Sequence, residues 1–298
     1  MWDILGLGCV TVDDFYVVPH FPIPDTKLEI LSSERQGGGL TATALVAATR
    51  LGVQCAYGGV LGSDEISAWV EADLAREGID VSRVARRDNA KPIHAHVIVE
   101  QQNRTRTILY SVNGQVGADD ELPSEADICA SKILFIDDFG VIGNLRAAAI
   151  ARAAGVPIVA DFEHMQSKPL LGWVDHLIVS IRYAAAVTGL NQPEAAAKVL
   201  WQPHSKLVAI TCGEVGCYYT ADGMTVHYQP SFKVEAVDTT GCGDVFHGAY
   251  AATLVWGLPA AERIRFSAAS AALKATQAGG RRGIPHRAQV EAFLQQSG

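Results

Sequence analysis

The stretch Val237-Asp-Thr-Thr-Gly-Cys-Gly-Asp-Val-Phe-His-Gly248 carries the strongest fold signal in the chain. An apolar, strand-like segment ends at Val237, small polar residues and two glycines follow, and a helical pattern begins near Gly243. Such a turn exposes backbone N–H groups at a helix N-terminus, where unpaired donors and the helix dipole favour an anion. Asp244 either caps this helix or takes a proton from a hydroxyl that attacks a bound phosphate.

On both sides of this stretch, short apolar runs alternate with helical patterns. Apolar runs with helices between them predict a parallel sheet covered by helices, which is an α/β fold. The runs are 4–10, 55–61, 132–137, 156–161, 176–179 and 207–211. Residues 12–36 and about 91–113 break the alternation and predict a small accessory sheet. We expect one domain, 1–298, with these two segments inserted in its core.

Composition excludes several classes of protein. The 298 residues are 49% hydrophobic and 19% charged, which excludes a disordered chain. A net charge of −8 disfavours nucleic acids and anionic membranes as partners. The sequence has neither an apolar run of membrane-spanning length nor a basic leader, so we expect a cytoplasmic protein. The six cysteines occur singly and the nine histidines are scattered, which disfavours a disulfide framework and a zinc site.

Four motifs resemble those of the ribokinase/PfkB carbohydrate kinases. The segment Asp238–Asp244 resembles their D-T-x-G-A-G-D signature, with Cys242 in the usual Ala place. Gly8 with Asp13, the glycine run 36–39 and the turn 211–216 resemble three further family motifs, in the same order. This agreement disfavours a simple capping role for Asp244. The resemblance implies a ribokinase-like three-layer α/β/α fold with a mostly parallel sheet and a small β-sheet lid, formed by the two inserted segments.

The resemblance also implies roles for individual residues. Asp244 would be the general base on a sugar hydroxyl, beside an anion hole formed by Gly241, Cys242 and Gly243. Sugar contacts would come from Asp13, Lys27, Gly38, Gly39, Thr43 and Asp138. Contacts with ATP would come from Thr211, Gly213, Gly216, Thr240 and Gly279. Mg²⁺ would be held mainly by the ATP phosphates and water. A monovalent cation, K⁺, near Asp238 is a further candidate.

Within the family, the chain most resembles sulfofructose kinases and fructokinase-like members. Residues 230–248, 271–274 and 279–285 carry this likeness, and Lys27 matches a lid lysine that faces the anionic end of the sugar. However, Asp138 replaces an arginine of the sulfofructose kinases, and Leu109 stands where they have an asparagine. Because a carboxylate suits hydroxyls and repels a sulfonate, we expect a neutral sugar, with a ketose favoured.

Two alternatives stay open. One is a kinase for a sulfonated or acidic sugar or for a nucleoside. The other is a sugar or nucleotide sensor without activity, which is favoured by Leu40 in place of an asparagine and by 180–183 in place of the family's N-x-x-E motif. The intact Asp238–Asp244 motif argues against the sensor. Arg104 or Arg106 in the lid, and the pair Arg281-Arg282 near the nucleotide, are further candidates for ligand contacts. We expect a homodimer that pairs through the lid, since exposed strand edges favour pairing.

Overall fold

The apolar runs of the sequence form strands in the computed structural model, which describes residues 2–103 and 105–297. Arg104, one of the lid candidates, lies outside the described residues. The strands are β1 (Ile4–Leu7), β2 (Thr11–Val18), β3 (Ser32–Gly38), β4 (Cys55–Tyr57), β5 (Val60–Leu61), β6 (Ala85–Arg86), β7 (Ile93–Glu100), β8 (Thr105–Ser111), β9 (Ile133–Asp137), β10 (Ile158–Phe162), β11 (His176–Ser180), β12 (Leu207–Thr211), β13 (Gly216–Thr220) and β14 (His227–Pro230).

Helices connect most of these strands. They are α1 (Leu40–Arg50), α2 (Glu65–Arg76), α3 (Glu125–Cys129), α4 (Val141–Ala154), α5 (Ile181–Thr188), α6 (Pro193–Leu200), α7 (Cys242–Val255), α8 (Ala260–Ala275) and α9 (Arg287–Gln296). Asp64 caps α2, and its carboxylate accepts a hydrogen bond from Ser67 N at 2.7 Å. Within the described residues, no helix is both long and apolar enough to cross a membrane.

The main sheet has the strand order β14-β13-β12-β11-β10-β9-β1-β4. The six strands from β12 to β4 are parallel, while β13 and β14 pair antiparallel at one edge. The predicted α/β fold with a mostly parallel sheet is therefore confirmed. The sequence did not reveal β14, because this edge strand, His-Tyr-Gln-Pro, is polar and largely exposed and gives no apolar signal.

Two apolar layers cover the faces of this sheet. One contains α1, α7 and α8, and the other contains α4, α5 and α6. Helices α1 and α7 touch at Gly248, where an added Cβ would collide with the backbone oxygen of Ala44. A glycine at this point of α7 lets the two helices approach closely. This contact fixes the start of α7 above the carboxyl ends of the parallel strands.

The four-stranded lid has the order β3-β2-β7-β8. Its strands fall within or next to the segments 12–36 and 91–113 that broke the α/β alternation, so the predicted accessory sheet is confirmed. Strands β2 and β7 pair parallel, with Asp13 opposite Ala95. Because side chains alternate along strands, Asp13 and Arg106 lie on one lid face, and Leu109 lies on the other.

Two expectations about strands were wrong. The run 55–61 is two strands rather than one, since β4 belongs to the main sheet and β5 pairs with β6. Val237 does not end a strand, because residues 231–237 have no regular secondary structure. The amides of Val237 and Asp238 instead donate to the backbone oxygen of Ala275, at 2.8 and 3.1 Å. The end of α8 therefore positions the loop that precedes α7.

Candidate active site

The loop Asp238–Gly243 ends in a helix N-terminus with free amides. Gly241 caps α7 with a φ of 76°, and an added Cβ there would lie 2.7 Å from Gly280 O, so both conformation and space favour glycine. The amide of Val245 returns to Gly241 O at 2.9 Å. Within residues 2–103 and 105–297, the amides of Gly243 and Asp244 have no acceptor. These donors and the helix dipole form a place for an anion.

Asp244 lies beside these amides, in the first turn of α7. Burial raises the pKa of Asp244 well above its usual value, and the negative charges of Asp161 and Glu163 raise it further. His247 and Arg281 act in the opposite direction on the same pKa. A carboxyl group with a raised pKa is a stronger base once it is ionised, which suits proton abstraction from a hydroxyl.

The carboxylate of Asp238 organises the loop before α7. One oxygen accepts hydrogen bonds from the amide and hydroxyl of Thr240, at 2.9 and 2.7 Å, and the other accepts from the amide of Gly279 at 2.9 Å. Thr240 and Gly279, predicted as nucleotide contacts, therefore support the loop in this structure. Arg106 of the lid reaches the same place, with its guanidinium 3.1 Å from Asp238 Oδ1 and in contact with the Thr240 hydroxyl.

The glycine run at the end of β3 meets β2 beside the same site. An added Cβ on Gly38 would lie 2.6 Å from Asp13 Oδ2, so only glycine lets this carboxylate lie against the backbone. Thr11 donates to Asp13 Oδ1 at 3.0 Å, and burial raises the pKa of Asp13. Gly39 has a φ of 95° and caps α1. Asp13, Gly38 and Gly39 thus form one polar corner, and their contacts with a sugar stay a prediction.

Arg281 is a structural residue that sequence reasoning placed near the nucleotide. Its guanidinium is buried and donates to Asp73 Oδ2 at 2.8 Å, Gly38 O at 2.7 Å and Thr43 Oγ1 at 3.2 Å. It therefore holds the glycine run from behind. Thr43, a predicted sugar contact, is buried and serves as an acceptor for Arg281. Arg282 pairs with Glu34 of the lid.

Asp137 at the end of β9 was missed by sequence reasoning. One of its oxygens accepts from Cys9 N at 2.7 Å, Thr41 Oγ1 at 2.8 Å and Thr41 N at 3.3 Å, and the other accepts from Phe139 N at 2.8 Å. Burial raises the pKa of Asp137 to about 6. An acidic residue that ends an apolar strand was the available signal, since strand carboxyl ends form ligand sites in parallel sheets.

Asp138 and Lys27, both predicted sugar contacts, have different surroundings. Asp138 is fully buried, and its Oδ2 accepts from the amides of Glu163 and His164, at 2.8 and 3.1 Å. Its Oδ1 is buried without a hydrogen-bond partner among the described residues. Lys27 is exposed on the long loop between β2 and β3. The structure therefore brings Asp138, but not Lys27, into the packed region behind the site.

A cavity of about 930 Å³ borders the N-terminus of α7. Its walls include Thr211, Gly213 and Gly216 of the β12–β13 turn and Cys242 and Gly243 of the candidate anion hole. The cavity also has apolar walls, which include Val215, Phe232, Phe246, Ala271 and Ala272. A nucleotide needs an apolar surface for its base next to donors for its phosphates. The predicted nucleotide residues other than Thr240 and Gly279 thus line one cavity of sufficient size.

One further polar cluster lies on the lid, where Asp14, His94 and His96 place potential ligand atoms within 4.8 Å of one another. Arg35 already donates to both oxygens of Asp14, at 2.7 and 2.9 Å, and lowers the pKa of that carboxyl group to about 2. A bound guanidinium competes with a metal ion for the same lone pairs. This cluster is therefore a polar network of the lid.

The family model for pfkB family carbohydrate kinases matches residues 8–287, and the chain belongs to this family. A ribokinase from Haemophilus influenzae is 30% identical over 97% of both chains. A fructokinase from Zea mays is 29% identical over 87% of this chain and 88% of its own. A solved structure from Agrobacterium tumefaciens, provisionally named a ribokinase, is 28% identical, has a TM-score of 0.90 and covers 99% of this chain and 98% of its own.

A more distant structure shares the fold and was solved with ligands. It is an Arabidopsis thaliana ribokinase complexed with ribose and ATP, 22% identical, with a TM-score of 0.85 and 99% of both chains covered. Together the motifs, the fold and the family define a carbohydrate kinase of the pfkB family. The relatives named above are ribokinases and fructokinases, so the predicted family is confirmed at that level, and the likeness to sulfofructose kinases stays a prediction.

Proposed function

We propose that this kinase transfers the γ-phosphoryl group of ATP to a hydroxyl of a small neutral sugar, with a fructose-like ketose favoured over an aldose. The observation that carries the neutral-sugar assignment is a concentration of carboxylates at the ends of β9 and β10. Asp137, Asp138, Asp161 and Glu163 lie there. Burial raises the pKa of Asp161, and the charges of the other three raise it further. A sulfonate or carboxylate in this region would be repelled by these four carboxylates.

Asp244 acts as the general base in this proposal. It accepts the proton of the sugar hydroxyl as that oxygen attacks the γ-phosphorus, while the β,γ-bridging oxygen leaves with ADP. The free amides of Gly243 and Asp244, supported by Gly241 and Cys242, stabilise the negative charge on the transferred group. Asp13 with Gly38 and Gly39 binds sugar hydroxyls.

ATP enters the cavity of about 930 Å³ in this proposal. Thr211, Gly213 and Gly216 lie near its phosphates, and the apolar wall receives the base. Mg²⁺ supplies charge neutralisation on the phosphates and is held mainly by them and by water. The Arabidopsis thaliana ribokinase solved with ribose and ATP supports this use of the fold.

The decisive experiment measures ADP formation with Mg-ATP over a panel of fructose, other neutral ketoses, ribose and other aldoses, sulfofructose, acidic sugars and nucleosides. We expect turnover on a neutral sugar and a loss of about 10²- to 10⁴-fold in kcat for Asp244→Asn, with sugar binding retained. Turnover restricted to sulfofructose would contradict the carboxylate argument. Sugar or ATP binding without turnover on any substrate would favour the sensor.

We further propose that the protein forms a homodimer through its lid. Among the residues that the structure describes, strand β8 is a free edge of the lid, and Ile108 and Tyr110 are 49% and 70% exposed on the face that carries Asp13. Pairing of two lids would bury these side chains and protect both edges. Light scattering should show a dimer for the wild type and a monomer for the double variant Ile108→Asp/Tyr110→Asp. Val199→Asp on α6 is the matched control, because Val199 is also exposed. A monomeric wild type would contradict the proposal.

A further inference from the structure

Lys274 of α8 is a lysine with no exposed surface. Lysine is among the residues that are almost never fully buried unless paired, because an ammonium group loses its hydration inside a protein. No carboxylate lies within 4.0 Å of its Nζ among the described residues. The Lys274 ammonium group is therefore buried without a direct ion pair, and its lost hydration carries a free-energy cost.

The ammonium group is held by the loop that precedes the anion hole. Lys274 Nζ donates to the backbone oxygen of Asp238 at 2.9 Å. The same turn of α8 holds this loop a second time, since Ala275 O accepts from the amides of Val237 and Asp238. Burial lowers the pKa of Lys274 and the charge of Arg106 lowers it further, whereas the charges of three residues, Cys242, Asp238 and Asp244, raise it. Two of these three residues belong to the anion hole and its base.

The surroundings of Asp238 do not fit an added K⁺. Such a cation would need the carbonyl and carboxylate oxygens of this loop, and the carbonyl is already bound by Lys274. The carboxylate has hydrogen bonds from Thr240, Gly279 and Arg106. A second positive charge beside a buried ammonium would be repelled, because charges interact strongly where water is excluded.

We propose that Lys274 supplies a built-in monovalent cation to the phosphoryl-transfer site, so that the kinase works without added K⁺. The fixed ammonium group orders the Asp238–Gly243 loop and adds positive potential beneath the anion hole. Preorganised charge of this kind stabilises negative charge that develops on a transferred group. Lys274 is thus a positioning residue that acts through the loop. The phosphates of a bound nucleotide bring negative charge near Lys274. This charge offsets the free-energy cost of burying the ammonium group.

The test compares cations at equal ionic strength, with choline as the inert reference. Wild-type kcat/KM should agree within about twofold in K⁺, Na⁺ and choline. Lys274→Met keeps most of the apolar stem and removes the charge, so kcat/KM in choline should fall about 100-fold, as for the loss of one preorganised donor.

The rescue of this variant is the second part of the test. Because the vacated place beside Asp238 O can accept a small cation, K⁺ or NH₄⁺ should raise kcat/KM of Lys274→Met at least tenfold. Lys198→Met, at an exposed position on α6, is the matched control and should behave as wild type.

Three results would overturn the inference. They are activation of the wild type by K⁺ over choline, full activity of Lys274→Met in choline, and a folded Lys274→Met that no cation restores. If Lys274→Met does not fold, the wild-type comparison decides. The activity measurements rest on the proposed function, so the affinity for ADP and the melting temperature are measured in the same salts. In Lys274→Met, the affinity for ADP and the melting temperature should both rise with K⁺, whereas in the wild type K⁺ should change neither. This comparison holds even if no sugar in the panel is a substrate.

Discussion

Arg281 illustrates how one buried charge connects three distant parts of the chain. Its guanidinium joins Asp73 of α2, the backbone of Gly38 and the hydroxyl of Thr43 of α1. Each of these three buried groups would lose a hydrogen-bond donor without it, and Asp73 would keep only Arg76 as a partner. The polar corner that contains Asp13 therefore depends on a side chain about 240 residues away in sequence.

We expect Arg281→Met to destabilise the protein by about 3 kcal/mol, because the buried Asp73 would keep only the largely exposed Arg76 as a charged partner. Urea unfolding measures this change. The double variant Arg281→Met/Asp73→Leu removes both charges and should recover a large part of the loss, whereas Arg287→Met, at an exposed pair on α9, should have little effect. An Arg281→Met protein as stable as wild type would contradict the role assigned to this contact.

At the scale of elements, the lid is joined to the loop before α7 through Arg106 of β8. The guanidinium contacts Asp238 and Thr240, so closure of the lid is coupled to the order of the anion-hole loop. The contact is part-exposed, with 43% of the Arg106 side chain accessible, and exposed pairs contribute at most about 1 kcal/mol.

We therefore expect Arg106→Ala to raise the KM for sugar by up to about fivefold, which is the range that 1 kcal/mol allows. Steady-state kinetics should show a smaller change in kcat, because Asp244 and the free amides are untouched. Arg86→Ala is the control, since Arg86 pairs with Glu71 away from this loop. A fall in kcat at unchanged KM would assign Arg106 to the chemical step instead of to lid closure.

The sequence predicted the elements better than their contacts. Alternating apolar runs indicated the parallel sheet, and the motif 238–244 indicated the helix N-terminus with its acidic residue. The polar edge strand β14 and the irregular segment before Asp238 were not predicted, because neither has an apolar period. Arg281, Asp137 and Lys274 were missed as supporting residues for another reason. Their roles consist of hydrogen bonds to residues far away in the chain, and local patterns carry no information on such pairs.

For the whole molecule, buried titratable groups couple stability to pH. His176 of β11 is buried beside the Tyr250 hydroxyl, at 2.9 Å, and burial lowers the pKa of His176 to about 3. Its imidazole stays neutral in the folded chain at pH values where the unfolded chain, with a pKa near 6.5, binds a proton. Stability therefore rises with pH up to about 6.5 and falls on acidification. The raised pKa of Asp137 acts in the opposite direction, because the folded state then takes up the proton more readily.

A variant at His176 separates these contributions. Between pH of about 7.5 and 5, His176 alone should remove about 2 kcal/mol from the free energy of unfolding, which is the cost of leaving it neutral 1.5 or so pH units below its unfolded pKa. His176→Gln keeps a polar partner for Tyr250 and does not titrate, so its loss of stability over the same range should be smaller than that of wild type by this amount. Urea unfolding at both pH values measures the difference, with His20→Gln on the exposed lid loop as the control. Equal pH dependence in wild type and His176→Gln would contradict the lowered pKa of His176 in the folded protein.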